Sequence, residues 1–298
     1  MRQPDVSAPV VPARRPALHM PAGATDCHAH VFGPQRRYPL LPHTHFVPQH
    51  TPWPDYTALL RSLGCQRAVL VQPSVYGSDN RCIEHALEAA GDIALRAVAV
   101  VAPDVADAEL ERLHRLGFRG VRFNLASATK GLQLQDARRL ADRIRHLGWH
   151  LQFFANFHEQ PEIGALLTQL PVPVVIDHVG RVQASDGVQS PGFKALLRAL
   201  AHGSCWVKLS APYFVSADFP RYDDLDTLAN ALLKVAPDRV LWGTDWPHIS
   251  ARNKLQADAD TVDLLSHWIP DACARQRVLV DNPARLYGFE HLKTGDMT

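Results

Sequence analysis

Two histidines set two residues apart, in Asp26-Cys27-His28-Ala29-His30, are the first residues along the chain whose types and spacing could do chemistry. If this stretch ends a strand, side chains at i and i+2 share a face and both imidazoles converge on one point. Alone, a His-x-His also suits a polar strand end facing solvent, so partners are needed. One apolar run stops at Asp177-His178-Val179-Gly180-Arg181, where a capping aspartate with surface basic residues competes with a functional role. Another stops at Gly243-Thr244-Asp245-Trp246-Pro247-His248. A carboxylate directly after a buried run and hemmed by Trp242 and Trp246 is costly unless partnered, which sets Asp245 above an ordinary surface aspartate. Arg119, Arg122 and Asn124 alternate with apolar neighbours; Arg119 reads as a solvated strand start and Arg122 lies nearer the functional end. Gln72-Pro73-Ser74 closes an earlier run. Three imidazoles, one carboxylate and two guanidiniums at one mouth would form a catalytic constellation.

Such a mouth requires elements that all end in the same place. From Ala24 onward, apolar runs alternate with helical patterns eight times, the strands being Ala24–His28, Arg67–Gln72, Leu95–Val101, Phe118–Phe123, His150–Phe154, Val172–Asp177, Trp206–Leu209 and Arg239–Gly243. Near-continuous apolar runs are expected of parallel strands covered on both faces. The clearest helix spans Leu134 to Leu147, with Leu134, Ala137, Leu140, Ala141, Ile144 and Leu147 on one face and Arg138, Arg139, Asp142 and Arg145 on the other. Tyr56, Leu59, Leu60 and Leu63 form a similar stripe, as do Leu225, Leu228 and Leu232. The pattern predicts a single, distorted (β/α)₈ barrel over residues 24–298, preceded by an extended proline-rich arm over residues 1–23. Helix-to-strand connections are short and strand-to-helix connections long, so a site at the C-terminal ends of the strands is expected, with His28 and His30 at that face.

The formal charge of +1, from 31 basic and 30 acidic residues, argues against a general nucleic-acid or anionic-membrane surface. No apolar run approaches the ~18 residues needed to cross a bilayer. Five scattered cysteines without a Cys-x-x-Cys give neither a disulfide framework nor a thiolate zinc site, and suit a reducing cytoplasm. Nucleotide-binding glycine loops and a Gly-x-Ser-x-Gly elbow are absent from the sequence.

Taken together, Asp26 to Pro34, Val71-Gln72-Pro73-Ser74, Arg119 to Asn124, Asp177 to Arg181, Gly243 to His248 and Asp281 to Gly288 resemble the amidohydrolase superfamily, and within it the 2-pyrone-4,6-dicarboxylate lactonase-like branch. The resemblance implies hydrolysis of a small anionic lactone, pyrone-dicarboxylate-like, muconolactone-like or a sugar-acid lactone. Asp245 would be the general base, His28, His30 and His178 would polarise the carbonyl, and Arg122 and Arg181 would grip an anionic substituent. Ester opening needs these functions. Ser74, Lys130, Tyr213 and His248 complete the expected substrate contacts.

His28, His30, His178 and Asp245 could also hold one divalent metal such as zinc. A binuclear site is not expected, because strand four offers Arg122 and strand five Gln152 or Phe154 where further ligands would sit. Because the lactonase-like branch that the chain resembles includes enzymes that work without metal, metal-free hydrolysis is placed slightly ahead of a single ion, and Arg122 and Arg181 would also repel a cation. After strand seven, Lys208-Leu209-Ser210-Ala211-Pro212-Tyr213-Phe214 lacks the additional arginine of the pyrone dicarboxylate enzyme, which favours a monocarboxylated or sugar-acid lactone at least as much. The loop from Pro34 to Pro52 could close over the site. A zinc-dependent decarboxylase of the same superfamily and a non-catalytic small-anion-binding barrel are the competing readings, and homo-oligomerisation stays open.

Overall fold

The computed structural model describes residues 14–42, 44, 46–127, 131–251, 254 and 257–290. The apolar runs become eight strands: β1 (Thr25–Ala29), β2 (Arg67–Val71), β3 (Ala94–Ala99), β4 (Phe118–Asn124), β5 (His150–Phe154), β6 (Val174–Ile176), β7 (Cys205–Leu209) and β8 (Val240–Trp242). They pair in parallel and in chain order. A parallel bridge between Ala29 and Trp246 brings the last strand back to the first, with the His30 amide donating to the Trp246 carbonyl at 2.7 Å. The helices α1 (Trp53–Leu63), α2 (Arg81–Glu88), α3 (Asp107–Leu116), α4 (Ala137–Ile144), α5 (Ile163–Leu167), α6 (Pro191–Ala201), α7 (Leu225–Val235) and α8 (Asp258–Asp263) each follow a strand. The architecture is a distorted (β/α)₈ barrel.

Helix faces follow the apolar stripes. Tyr56, Leu59, Leu60 and Leu63 are buried on α1, and Leu225, Leu228 and Leu232 on α7. The helix expected over Leu134 to Leu147 is an α-helical middle, Ala137–Ile144, between 3₁₀ turns at Leu134–Asp136 and Arg145–Leu147. The first turn tightens because the Asp136 carboxylate accepts the Gln133 amide at 2.9 Å, and Gly148 ends the last one in the left-handed region at φ 66°.

A second apolar cluster fills the N-terminal end of the barrel, where Cys27, Val69, Val71, Val98, Val175, Trp206 and Leu241 meet Tyr287 and Phe289 of the terminal segment. With that end plugged, the opposite end is left for a site. Residues 1–13 of the expected arm lie outside the described residues. Its remainder is anchored rather than loose: Arg14 pairs with Asp260 at 2.5 Å and Asp263 at 2.6 Å, and the Ala17 amide donates to Asp263 at 2.7 Å.

Closure between β1 and β8 depends on one buried carboxylate. Asp26 accepts from the Tyr56 hydroxyl (2.7 Å), the Thr244 hydroxyl (2.6 Å) and amide (2.9 Å), and the His28 amide (3.1 Å). Gly243 permits the close approach, since a Cβ there would lie 2.6 Å from the His28 nitrogen. Replacing Asp26 with alanine orphans four buried donors and is expected to cost roughly 3–5 kcal/mol in urea unfolding. A loss below about 1 kcal/mol would show that Asp26 does not bolt the barrel shut.

Candidate active site

Alternation along parallel strands aims every second side chain into the barrel. On β4 and β5 the register sets Gly120 beside His150, Arg122 beside Gln152 and Asn124 beside Phe154. On β1 the register shifts between Asp26 and Ala29, which breaks strict alternation. Asp26 therefore serves α1 and Thr244, Cys27 joins the apolar plug, and His28 and His30 still reach the mouth.

Asp177, directly after β6, is fully buried. Its Oδ2 accepts from Arg122 Nε and Gln152 Nε2, both at 3.2 Å, and its Oδ1 lies 3.3 Å from His28 Nδ1 and 3.6 Å from Lys208 Nζ. Burial alone would raise this carboxyl, but His28 and the charges of Lys208 and Arg122 around it hold it well below the usual carboxylate range. Lys208, also fully buried, donates to Gln152 Oε1 at 2.9 Å.

The second carboxylate, Asp245, receives the three imidazoles. Its Oδ1 is 3.5 Å from His28 Nε2 and 3.8 Å from the Nε2 atoms of His30 and His178. Its Oδ2 accepts from the Tyr213 hydroxyl. Burial lifts Asp245 to about 7, against the Tyr213 hydrogen bond and the charges of His248 and Arg122. Burial, with Arg122 adding to it, pushes His30 and His178 down to about 3, so both are neutral imidazoles near pH 7. His30 Nδ1 donates to the Val71 carbonyl at 2.6 Å, and His178 Nδ1 pairs with the Ser210 hydroxyl at 2.8 Å. Backbone strain gathers here: His178, Arg181, Asp245 and His248 have φ of 49°, 54°, 63° and 58°. Such conformations cost of order 1–3 kcal/mol each and cluster where geometry serves function.

Over Asp245 lies a pocket of about 80 Å³, whose polar lining includes His30, Ser74, Arg122, Asn124, His178 and Asp245 and whose apolar wall is made by Phe46, Phe154, Phe214 and Ile249. Ser74 and Arg122 thus stand where a substrate would sit. Arg181 stands behind the aromatic wall, 5.1 Å from the Phe154 ring and 5.0 Å from the Phe214 ring, beside a separate recess with Asn156 and Glu159. The Tyr213 hydroxyl, expected to meet a substrate hydroxyl, is committed to Asp245. His248 Nε2 pairs with Asp258 at 2.7 Å. Lys130 lies outside the described residues, as do His43 and His45 of the Pro34–Pro52 loop. That loop is pinned at its base by the bridge between Phe32 and Thr51 and contributes Phe46 to the pocket.

Sequence reasoning undervalued Asp177, Lys208, Gln152 and Ser210. A signal for them existed: His150, Gln152 and Phe154, like Trp206, Lys208 and Ser210, recur at the period-2 positions that face a barrel interior.

The same groups bear on metal binding. Among the described residues, His28, His178 and Asp245 offer ligand atoms within 4.8 Å of one another, and His30 presents an Nε2 whose lone pair is freed by the Val71 hydrogen bond. Spacing alone suits one ion. Protonation does not, because His28 Nδ1 faces the Lys208 ammonium at 3.2 Å, and Arg122 lies close by. A divalent ion there would act as a Lewis acid and lower the pKa of bound water.

Comparison with known proteins gives a consistent picture. Residues 25–289 match the family described as Amidohydrolase. A 2-pyrone-4,6-dicarboxylate hydrolase of Comamonas testosteroni is 38% identical, covering 93% of this chain and 94% of the relative. A 4-sulfomuconolactone hydrolase of Hydrogenophaga intermedia is 37% identical, covering 90% of each. A solved structure from Pseudomonas putida, assigned as a 2-pyrone-4,6-dicarboxylic acid hydrolase, superposes with a TM-score of 0.80 at 33% identity, covering 92% of this chain and 100% of that one.

The Tyr213 hydrogen bond favours the ionised form of Asp245, so its removal must raise the Asp245 pKa further. In Tyr213→Phe, carbon-detected titration of the Asp245 carboxyl should move upward from about 7. A downward or absent shift would mean that the phenol does not stabilise the carboxylate.

Proposed function

The chain belongs to the amidohydrolase family, and from that premise we propose that it is a hydrolase that opens the ring of a small anionic lactone with Asp245 as general base. The observation that carries this reading is a buried carboxylate lifted to about 7, ringed by three imidazole Nε2 atoms at 3.5–3.8 Å. A carboxylate of that basicity is suited to taking a proton from water near neutral pH. The relatives are named as hydrolases of lactones, which supports the same chemistry here.

In the proposed reaction, water donates one hydrogen to Asp245 and another to the bare Nε2 of His30 as its oxygen attacks the lactone carbonyl. Asp245 takes the first proton, and negative charge develops on the former carbonyl oxygen, where imidazole N–H groups and Arg122 stabilise it. Collapse breaks the ring C–O bond, and the departing alkoxide takes the proton back from Asp245. The product is a hydroxy acid, which ionises and releases one proton to solvent.

The pocket supports a compact substrate, because about 80 Å³ is small beside the 300–1,000 Å³ of typical drug-sized sites. Among the described lining residues Arg122 is the cation, and Phe46, Phe154 and Phe214 make the rest of the lining strongly aromatic. That division favours one carboxylate and an apolar flank, as in a muconolactone-like ring, over a dicarboxylate. A cytoplasmic setting is consistent with five free cysteines, four of them buried, and among the described residues no helix is long and apolar enough to cross a membrane.

Indicator-monitored proton release in chelator-treated buffer, across a panel of carboxylated and sugar-acid lactones, tests the reading. Rapid acid production is expected on a monocarboxylated lactone, and silence with and without added zinc would sink it. Asp245→Asn should lower kcat by roughly 10²–10⁴-fold. Because the ionised carboxylate is the active form, kcat/KM should fall as pH drops through about 7 and level off above it. A profile flat through that region would remove Asp245 as the base.

A further inference from the structure

The three imidazoles around Asp245 are not equivalent, because their other nitrogens face different partners. The Val71 carbonyl can only accept, so His30 carries its proton on Nδ1 and offers a lone pair at Nε2. For His28 the partner has the opposite character. Its Nδ1 lies 3.2 Å from Lys208 Nζ, and an ammonium has only hydrogens to give. Lys208 is kept in place by Gln152 Oε1 at 2.9 Å and by the Asp177 carboxylate at 3.6 Å. Asp177 Oδ1 competes for the same His28 nitrogen from 3.3 Å, a longer approach than that of Lys208 and outside hydrogen-bonding geometry, whereas Asp177 Oδ2 is taken by Arg122 and Gln152. His28 Nδ1 is therefore the acceptor, and the ring's single proton sits on Nε2. That Nε2 is fully buried, has no hydrogen-bond partner, and points to within 3.5 Å of Asp245 Oδ1.

We propose that Lys208 is a positioning residue that fixes His28 as the Nε2–H tautomer. His28 becomes the hydrogen-bond donor and His30 the acceptor within one ring of imidazoles, and His28 Nε2 is closed to a metal ion. The consequence for turnover rests on the lactone-opening reading; the tautomer itself does not. A lysine that served only to neutralise Asp177 would leave His28 free to protonate Nδ1 toward that carboxylate and to turn a bare Nε2 into the site. Removing the ammonium should produce that state, in which His28, His30 and Asp245 all present lone pairs.

The test is a long-range proton–nitrogen correlation spectrum of protein carrying ¹⁵N-labelled histidine, with the His28 signal assigned by its loss in His28→Asn. The wild-type protein should show His28 with the Nε2–H coupling pattern at neutral pH. In Lys208→Met the pattern should invert to Nδ1–H, and zinc affinity by equilibrium dialysis should rise by roughly tenfold or more. On a lactone that the wild type opens, kcat in chelator should fall by roughly 10²-fold, as expected when a donor at the developing oxyanion is lost, with KM nearly unchanged. A wild-type His28 found as Nδ1–H overturns the proposal, and so does a Lys208→Met protein whose His28 tautomer and zinc affinity match the wild type. If Lys208→Met does not fold, the wild-type spectrum still decides. If no lactone is opened, the functional reading fails while the tautomer remains readable.

Discussion

The site depends on a negative charge with no access to water. Asp177 is fully buried, and an isolated carboxylate there would simply protonate. It stays ionised because Arg122 from β4, Lys208 from β7 and His28 from β1 converge on it from three strands. Each of those groups is in turn affordable only because Asp177 is there: Lys208 and Arg122 are buried cations, and without the carboxylate they would repel each other across the barrel interior. The network therefore fixes strand registry and protonation together. Gln152, neutral, bridges its two halves by donating to Asp177 and accepting from Lys208.

Above that network the chain ends its strands in conformations that L-residues avoid. Positive φ at His178, Arg181, Ala211, Asp245 and His248 turns each segment sharply as it leaves the barrel, so that side chains are aimed across the mouth instead of outward. Strain of this kind persists only where surroundings over-determine it. Asp26 does so for the β1–β8 seam, through Thr244 beside Asp245 and the amide of His28. The aromatic wall does so for the β6 turn, where His178 and Arg181 both pack against Phe154 and Phe214. Phe154 also lies 5.5 Å from the Arg122 guanidinium, so one ring packs against both cations.

Much of this was legible in the sequence because barrel strands are coded by apolar runs. His150–Phe154 has the expected limits, and the other strands differ from expectation by a few residues at their ends, as with β6, where Val172–Asp177 shortens to Val174–Ile176. The residues around Asp245 were also legible, since a polar group directly after an apolar run is conspicuous. Lys208 and Gln152 were not, for a physical reason. They sit inside runs, where one polar residue among hydrophobic ones reads as noise until its strand neighbours are known, and their function is defined by a partner on another strand. The Tyr213 hydroxyl illustrates the same gap: its residue type was singled out, but only the fold shows that it is spent on Asp245.

Two carboxylates a layer apart have been driven in opposite directions, and the difference assigns their work. Asp177, with a guanidinium, an ammonium and an imidazole against it, is held below its usual range and cannot exchange a proton at neutral pH. Asp245, desolvated and faced by neutral imidazoles, rises to about 7. The linkage has opposite signs. The depressed pKa of Asp177 contributes stability above the usual carboxylate range, and that contribution is lost as pH falls through its folded value. The raised pKa of Asp245 removes stability as pH climbs from the carboxylate range toward 7, because the unfolded chain ionises first. One group holds the barrel interior together and the other destabilises it in the pH range where a base is needed, which is the division expected when an enzyme builds a reactive carboxylate on a rigid, already neutralised floor.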